Sequence, residues 1–167
     1  MRPGDFAERF NIVGLAASLD AAALSPPAVN MRDCVAAHLV LIKAAGTAGD
    51  DPVITLTQGD GISSGALVNG KALACIDRVY TKRHASAIPK TYTAETQAAA
   101  ATYTSLTLAE EAGHVVITVL PEDLDVDNGF HAVRAVLNDV GSNAQIGAMF
   151  WILEPKYLPP LDAQSDA

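Results

Sequence analysis

The 167-residue chain is long enough to form one domain with a substantial core. Half of its residues are hydrophobic but only 5% are aromatic, which favours closely packed sheets or subunit contacts over a large ligand cavity. The formal net charge of -8 and the pI near 4.7 argue against nucleic acid and anionic membrane surfaces as partners.

Two apolar, β-branched segments, residues 35–43 and 53–58, form the clearest pattern in the chain. The first is apolar on both faces apart from His38 and Lys43, whereas the second alternates as a strand with one buried face does. The connecting residues 44–52 contain two glycines, which can adopt positive φ, and a proline, which cannot donate to a strand ladder. This pattern predicts two strands joined as a β-hairpin.

The remaining chain contains further strand-like segments separated by turn residues. We predict strands at residues 72–81, 114–120, 130–138 and 145–153, a strand–loop–strand unit within 91–107, loops at 59–70 and 82–89, and turns at 124–129 and 141–143. The alanine run 98–101 favours helix locally, but the threonines and tyrosines around it favour strand. Roughly eight short strands without alternating helices predict an all-β fold, an antiparallel β-sandwich of jelly-roll type.

Both ends of the chain differ from this body. The apolar segment 12–19 lacks the basic start of a secretory signal and the length of a membrane span. Prolines favour extended chain near residue 26 and after residue 154. We therefore predict an N-terminal arm at residues 1–30, a β-sandwich domain at 31–154 and a proline-rich tail at 155–167.

One segment matches a catalytic pattern. Residues 61–65, Gly-Ile-Ser-Ser-Gly, fit the G-x-S-x-G nucleophile elbow of hydrolases, and His84, His114 and His131 follow downstream. An elbow requires a helix after the serine, but the Asn-Gly pair at 69–70 interrupts a helix. A flexible hairpin loop explains the same residues, so we predict no catalytic residues and no enzymatic activity.

Metal-binding patterns are incomplete. Residues 123–129 alternate carboxylates as a calcium loop does, but Asn128 replaces the required glycine and Arg134 the closing glutamate. Cys34 and His38 would lie about 13 Å apart along a strand, too far for one zinc ion. We predict an acidic turn at 123–129, with no metal site and no cofactor.

The cysteines and histidines have structural interpretations. Cys34 and Cys75 are too few for a disulfide framework; they could pair or remain free, and we interpret both as small core residues. We interpret His38, in an apolar strand, as a hydrogen-bonded core or interface residue. His84, in a basic segment, is expected to be solvated.

Three segments resemble small virion structural proteins of tailed bacteriophages, of the capsid decoration or cement type. They are Lys-Ala-Ala-Gly-Thr-Ala-Gly-Asp-Asp-Pro-Val-Ile-Thr-Leu-Thr-Gln at 43–58, Asp-Leu-Asp-Val-Asp-Asn-Gly-Phe at 123–130, and residues 138–148 leading into Trp-Ile-Leu-Glu-Pro-Lys-Tyr at 151–157. The resemblance covers roughly residues 10–157 and includes no catalytic signature.

The resemblance implies a β-sandwich or jelly-roll protein on the outer surface of the phage head, present in the host cytoplasm during assembly. Its implied partners are the phage major capsid protein and further copies of the chain, as a dimer or trimer. A head-fibre base and a neck or tail component remain open as alternatives. A carbohydrate-binding β-sandwich is an alternative of another class, and it requires exposed aromatic side chains on one face.

The apolar residues near the N-terminus indicate where assembly contacts lie. Phe6, Phe10, Ile12 and Leu15 are costly to leave in water, yet they belong to a stretch without a convincing regular element. Packing on the body of the same subunit is one outcome, and a partner subunit or the capsid is the other. We predict a homo-oligomer whose termini carry the inter-subunit and shell contacts.

Overall fold

The computed structural model describes residues 9–18, 24–47, 51–84, 91–104, 111–138 and 146–157, with the backbone alone for residues 15–18. These residues form thirteen strands and two single-turn 3₁₀ helices. The strands are β1 (Asn11–Ser18), β2 (Val29–Asn30), β3 (Cys34–Lys43), β4 (Val53–Gly59), β5 (Gly61–Ser63), β6 (Ala66–Val68), β7 (Lys71–Ala72), β8 (Ile76–Arg83), β9 (Thr93–Ala100), β10 (Thr102–Thr104), β11 (Gly113–Val119), β12 (Ala132–Asn138) and β13 (Gly147–Pro155).

The strands form a two-layer antiparallel sandwich, which confirms the predicted all-β class. The larger sheet has the order β1-β13-β3-β11-β8-β9, and the smaller has the order β10-β4-β12-β2, with β7 also paired to β4. The inner faces of both sheets contribute to one core, in which Leu39 and Trp151 come from the larger sheet and Leu56 and Val133 from the smaller.

The central prediction of a β-hairpin at residues 35–58 is wrong, although both of its strands are present. β3 belongs to the larger sheet and β4 to the smaller, so the connection crosses the sandwich. β3 instead pairs with β13 and β11, while β4 pairs with β12 and β10. Early strands thus pair with late ones in both layers, which is a jelly-roll-like wrapping.

Alternating burial explains why these segments adopt strands. In β11, Val115, Ile117 and Val119 are buried and the residues between them are half-exposed, as the sequence predicts. The alanine-rich segment is also strand: β9 and β10 are separated by a bend at Ala101. Tertiary pairing with β8 and β4 overrides the local helix preference of these alanines.

The segment predicted to be an N-terminal arm is partly built into the sheets. β1 pairs with β13 at the edge of the larger sheet, and β2 pairs with β12. Gly14 has a φ of 62°, and a Cβ there would lie 2.2 Å from Pro27 Cδ, so β1 packs closely on the following segment. The short strand that the sequence allows at residues 10–13 is thus present and extends over residues 11–18, where the prediction of no convincing regular element is wrong. The predicted boundary at residue 30 does not coincide with the edge of the sheets.

The remaining predicted loops and chain ends agree with the structure to different extents. The predicted loop 59–70 contains the small hairpin β5–β6, and Lys82 and Arg83 belong to β8 rather than to a loop. At the C-terminal end, the Lys156 backbone N–H donates to the Asp33 carbonyl over 2.8 Å, which fixes the end of β13 beside the start of β3. The turn predicted at 141–143, Phe6 and most of the tail lie outside the described residues. Within the described ranges, no helix is long and apolar enough to cross a membrane.

Candidate functional site: the outer face of the larger sheet

The larger sheet has a second apolar face, directed away from the core, which we call the outer face. Its residues alternate with the core residues of the central strands and are half-exposed or exposed. The centre of the outer face consists of His38, Val40, Ile42, Tyr80, Lys82, His114, Val116, Thr118, Phe150 and Ile152, and the charged Arg78 and Glu154 lie at its margin. A sheet packed on one side alone carries polar residues on the other, so this composition is unusual for a face left in water.

An uncharged row crosses four strands in the middle of the outer face. Phe150 is paired with Val40, Val40 with Val116, and Val116 with Tyr80. The side chain of Tyr80 is 38% exposed. On a chain of net charge -8, four adjacent strands therefore present an apolar band.

A groove of about 640 Å³ lies over this band. It is lined by Phe10, His38, Val40, Tyr80, Tyr92, Val116 and Ile152. Phe10 immediately precedes β1 and Tyr92 immediately precedes β9, so the two edge strands place aromatic rings at the groove from opposite ends of the sheet. Phe10 thus lies at the groove of its own chain, while Ile12 remains 57% exposed.

His38 is the imidazole of the groove lining, and Thr118 lies beside it on the neighbouring strand. The His38 Nδ1 and the Thr118 Oγ1 lie 3.0 Å apart on neighbouring strands, which confirms His38 as a hydrogen-bonded residue. Burial lowers the pKa of His38, and the carboxylate of Glu154 partly opposes this shift. The neutral imidazole is therefore favoured, and the groove keeps little charge near neutral pH.

We expect stability to fall as pH decreases from about 7.5 to 5.5, because the unfolded chain binds protons on these histidines more readily than the folded chain. The pKa of His38 is lowered from 6.5, and so is that of His114, mainly by burial. Their contribution is fully present above pH 6.5 and is lost as pH falls below it. Urea unfolding should show a smaller pH dependence for the double variant His38→Gln/His114→Gln than for the unmodified chain. The expectation would be contradicted if the pH dependence of the unfolding free energy were unchanged in that double variant, or if His131→Gln reduced it by the same amount.

A second group of polar residues lies at one end of the outer face. The rings of His84 and His114 are in edge contact, with centroids 4.7 Å apart and an interplanar angle of 73°. Lys82 is paired opposite His114, and its ammonium lies 5.8 Å from the centre of the Tyr92 ring. His84 is exposed, as predicted, but its contact with His114 was not. The two residues are thirty positions apart, so only the pairing of β8 with β11 brings them together.

The G-x-S-x-G segment is a hairpin rather than a nucleophile elbow. Ser63 ends β5, and the turn residues Ser64 and Gly65 have φ of 49° and 75°. Positive φ at both turn positions is typical of a type I′ hairpin. Strand β6 follows where an elbow requires a helix, so the loop interpretation of these residues is confirmed.

The acidic segment at 123–129 begins in the first 3₁₀ helix, Pro121–Asp123, and contains the second, Val126–Asn128. The Asp125 carboxylate accepts hydrogen bonds from Lys71 and, at 2.8 Å, from the Asn128 amide. The Lys71 ammonium holds the pKa of Asp125 below its usual value, and the ammonium also lies 4.0 Å from the Phe130 ring centre. Gly129 has a φ of 83° and ends the turn. The predicted acidic turn is confirmed, and the prediction that it holds no metal stays a prediction.

The two cysteines form no disulfide with each other, and they occupy the positions expected of small core residues. Cys34 is fully buried, and the half-buried Cys75 packs against the core. Burial raises the pKa of the Cys75 thiol to about 12, with nearby Asp123 acting in the same direction. This thiol is therefore protonated at neutral pH and a poor nucleophile.

No protein-family model matches the chain, and comparisons with curated proteins and solved structures also give no match. The geometry of the outer face, together with the sequence resemblance, is therefore the basis for a functional proposal.

Proposed function

We propose that this chain is a structural protein of a tailed-phage virion, a capsid decoration or cement protein that binds the major capsid shell. The observation that carries the proposal is the apolar outer face, with its uncharged row from Phe150 to Tyr80. Exposed apolar patches of this kind mark protein–protein contacts, because burying them removes apolar surface from water. The resemblance of three segments to phage decoration proteins names the class of partner.

The side chains that line the groove are better suited to binding a partner than to catalysing a reaction. Its lining offers one imidazole and two tyrosines among aliphatic and aromatic side chains. Among the described residues there is no group of three or more histidines, cysteines and carboxylates placed to hold a metal ion. A rigid sandwich with a broad apolar face is suited to stabilising a shell, since little conformational freedom is lost on docking.

We also propose that the chain forms a homo-oligomer, a dimer or trimer, but that sheet residues contribute to its contacts alongside the termini. Ile12 is 57% exposed, and so is Ile146 just before β13. Tyr157, the last described residue, is 77% exposed. These side chains extend the apolar surface beyond the groove toward the chain ends, where the sequence placed the contacts.

Deletion of the N-terminal residues is a poor test of this assembly, because part of that segment belongs to the larger sheet. Deleting residues 1–20 would remove β1 and leave β13 as an unpaired sheet edge. Such an edge promotes association by itself, so the deletion would confuse loss of a contact with gain of a new one. Substitutions on the outer face avoid this difficulty, because they leave the strand pairing intact.

Quantitative mass spectrometry of purified virions tests the proposed location. We expect the chain in particles at a copy number proportional to that of the major capsid protein, and purified chain should bind undecorated capsids. A few copies per particle would instead favour a head-fibre base or a neck or tail component. Absence of the chain from virions would contradict the virion assignment altogether.

One observation favours a carbohydrate-binding module as a second candidate. Tyr80 and Tyr92 are 38% and 48% exposed and line the same groove, and aromatic rings of this kind can stack on sugars. Trp151, by contrast, is buried in the core and is not available to a ligand. The groove offers few hydrogen-bonding groups for sugar hydroxyls, which is why we rank this function second. Binding to a glycan array that is lost in Tyr80→Ala would favour it.

A further inference from the structure

The outer face carries His38 and His114, and a third histidine, His84, lies close enough to His114 to act together with it. His84 immediately follows β8 and His114 lies in β11, the strand paired with it. The ring centroids are 4.7 Å apart. The His84 backbone N–H donates to the Ala112 carbonyl over 2.8 Å, so strand pairing extends to His84 and holds both residues at the same end of the sheet.

We propose that His84 and His114 form a two-imidazole site for a divalent transition-metal ion, with Cu²⁺ bound more tightly than Ni²⁺ or Zn²⁺. Imidazole nitrogen is a preferred ligand for these ions, and Cu²⁺ stands highest in the general order of affinity. We infer that rotation of the two side chains can direct one nitrogen of each ring at a common ion, because the ring centroids already lie 4.7 Å apart. This inference is independent of the proposed virion function.

The surroundings define what kind of site this is. Within the described ranges no third histidine, cysteine or carboxylate joins the pair, so water would complete the coordination of the ion. A closed structural zinc site has four protein ligands, and this one is open. Lys82, opposite His114, repels a cation, so the affinity is expected to be well below that of a four-ligand site.

The test is titration of the full-length, untagged chain with CuCl₂ at pH 7.5 by calorimetry, with electron paramagnetic resonance of the bound ion. We expect one Cu²⁺ per chain with nitrogen hyperfine structure. His84→Ala and His114→Ala should each weaken binding by at least about tenfold, the smallest effect typical of losing even a supporting residue in a metal site. The matched control is His131→Ala, which should leave binding unchanged. It removes a histidine that is hydrogen-bonded to the Gly129 carbonyl in a different part of the fold.

Other outcomes would overturn the inference. They include no Cu²⁺ binding, unchanged affinity in the double variant His84→Ala/His114→Ala, and equal loss in His131→Ala. Far-ultraviolet circular dichroism of each variant shows whether it is folded. If an alanine variant is not folded, His84→Gln and His114→Gln take its place, because glutamine is polar and of similar size but a poor ligand for these ions.

Discussion

Replacing Trp151 with alanine is expected to lower the free energy of unfolding by about 3–5 kcal/mol, the largest single-residue effect that we predict on stability. Trp151 is the only tryptophan, and it is fully buried. It lies in β13 between the paired residues Val13 of β1 and Leu39 of β3. Its removal would leave a cavity beneath three strands. A domain of this size has a total stability of roughly 5–15 kcal/mol, so the variant would lose a large part of it.

Urea unfolding followed by far-ultraviolet circular dichroism measures this loss, because the fluorescent side chain is absent from the variant. Two controls distinguish the effect of the lost side-chain volume from the effect of the residue's position in the sheet. Trp151→Phe keeps a buried ring and removes the indole N–H, which has no hydrogen-bond partner among the described residues, so it should cost well under half as much. Ile152→Ala, one position along on the outer face, should cost about 1 kcal/mol or less. Equal losses for Trp151→Ala and Ile152→Ala would show that the core is not where the structure places it.

The strands themselves could be predicted from the sequence, because their signal is local. Val115, Ile117 and Val119 alternate with less apolar residues, and the burial of β11 follows that alternation. The predicted strand at 114–120 and the observed β11, Gly113–Val119, differ by one residue at each end. The pairing of the strands could not be predicted in this way. Whether Val53 pairs with β3 or crosses to a second sheet depends on Asn138, its actual partner, which lies 85 positions later.

The outer face could be predicted only in part from the sequence. Residues 35–43 are apolar on both faces apart from His38 and Lys43, which is typical of a strand covered on both sides. The structure places Leu39 and Leu41 in the core and Val40 on the opposite side. Combining that signal with the equally apolar β13 would have indicated a second contact surface. The grouping of His84 with His114 had no local signal, since it depends on the register of β8 and β11.

Charged substitutions in the uncharged row are expected to abolish assembly while the fold is kept. Val40 and Val116 are directly paired at its centre and are only half-buried, so a glutamate at either position can still reach water in the free subunit. In an assembled state the same carboxylate would be desolvated without a partner, which costs several kcal/mol. We therefore expect Val40→Glu or Val116→Glu to weaken self-association and capsid binding by at least about a hundredfold.

Light scattering of the purified chain and co-sedimentation with undecorated capsids measure the two associations separately. Val126→Glu is the matched control, because Val126 is 55% exposed and lies in a 3₁₀ turn away from the larger sheet. It adds the same charge to an already acidic chain, so any effect of net charge alone will show there. Val116→Lys distinguishes the cost of desolvating a charge from repulsion between negative charges. If burial of the outer face drives binding, the lysine variant should lose association as the glutamate variant does. Retention of both oligomeric mass and capsid affinity in Val40→Glu and Val116→Glu would exclude the outer face as the assembly surface.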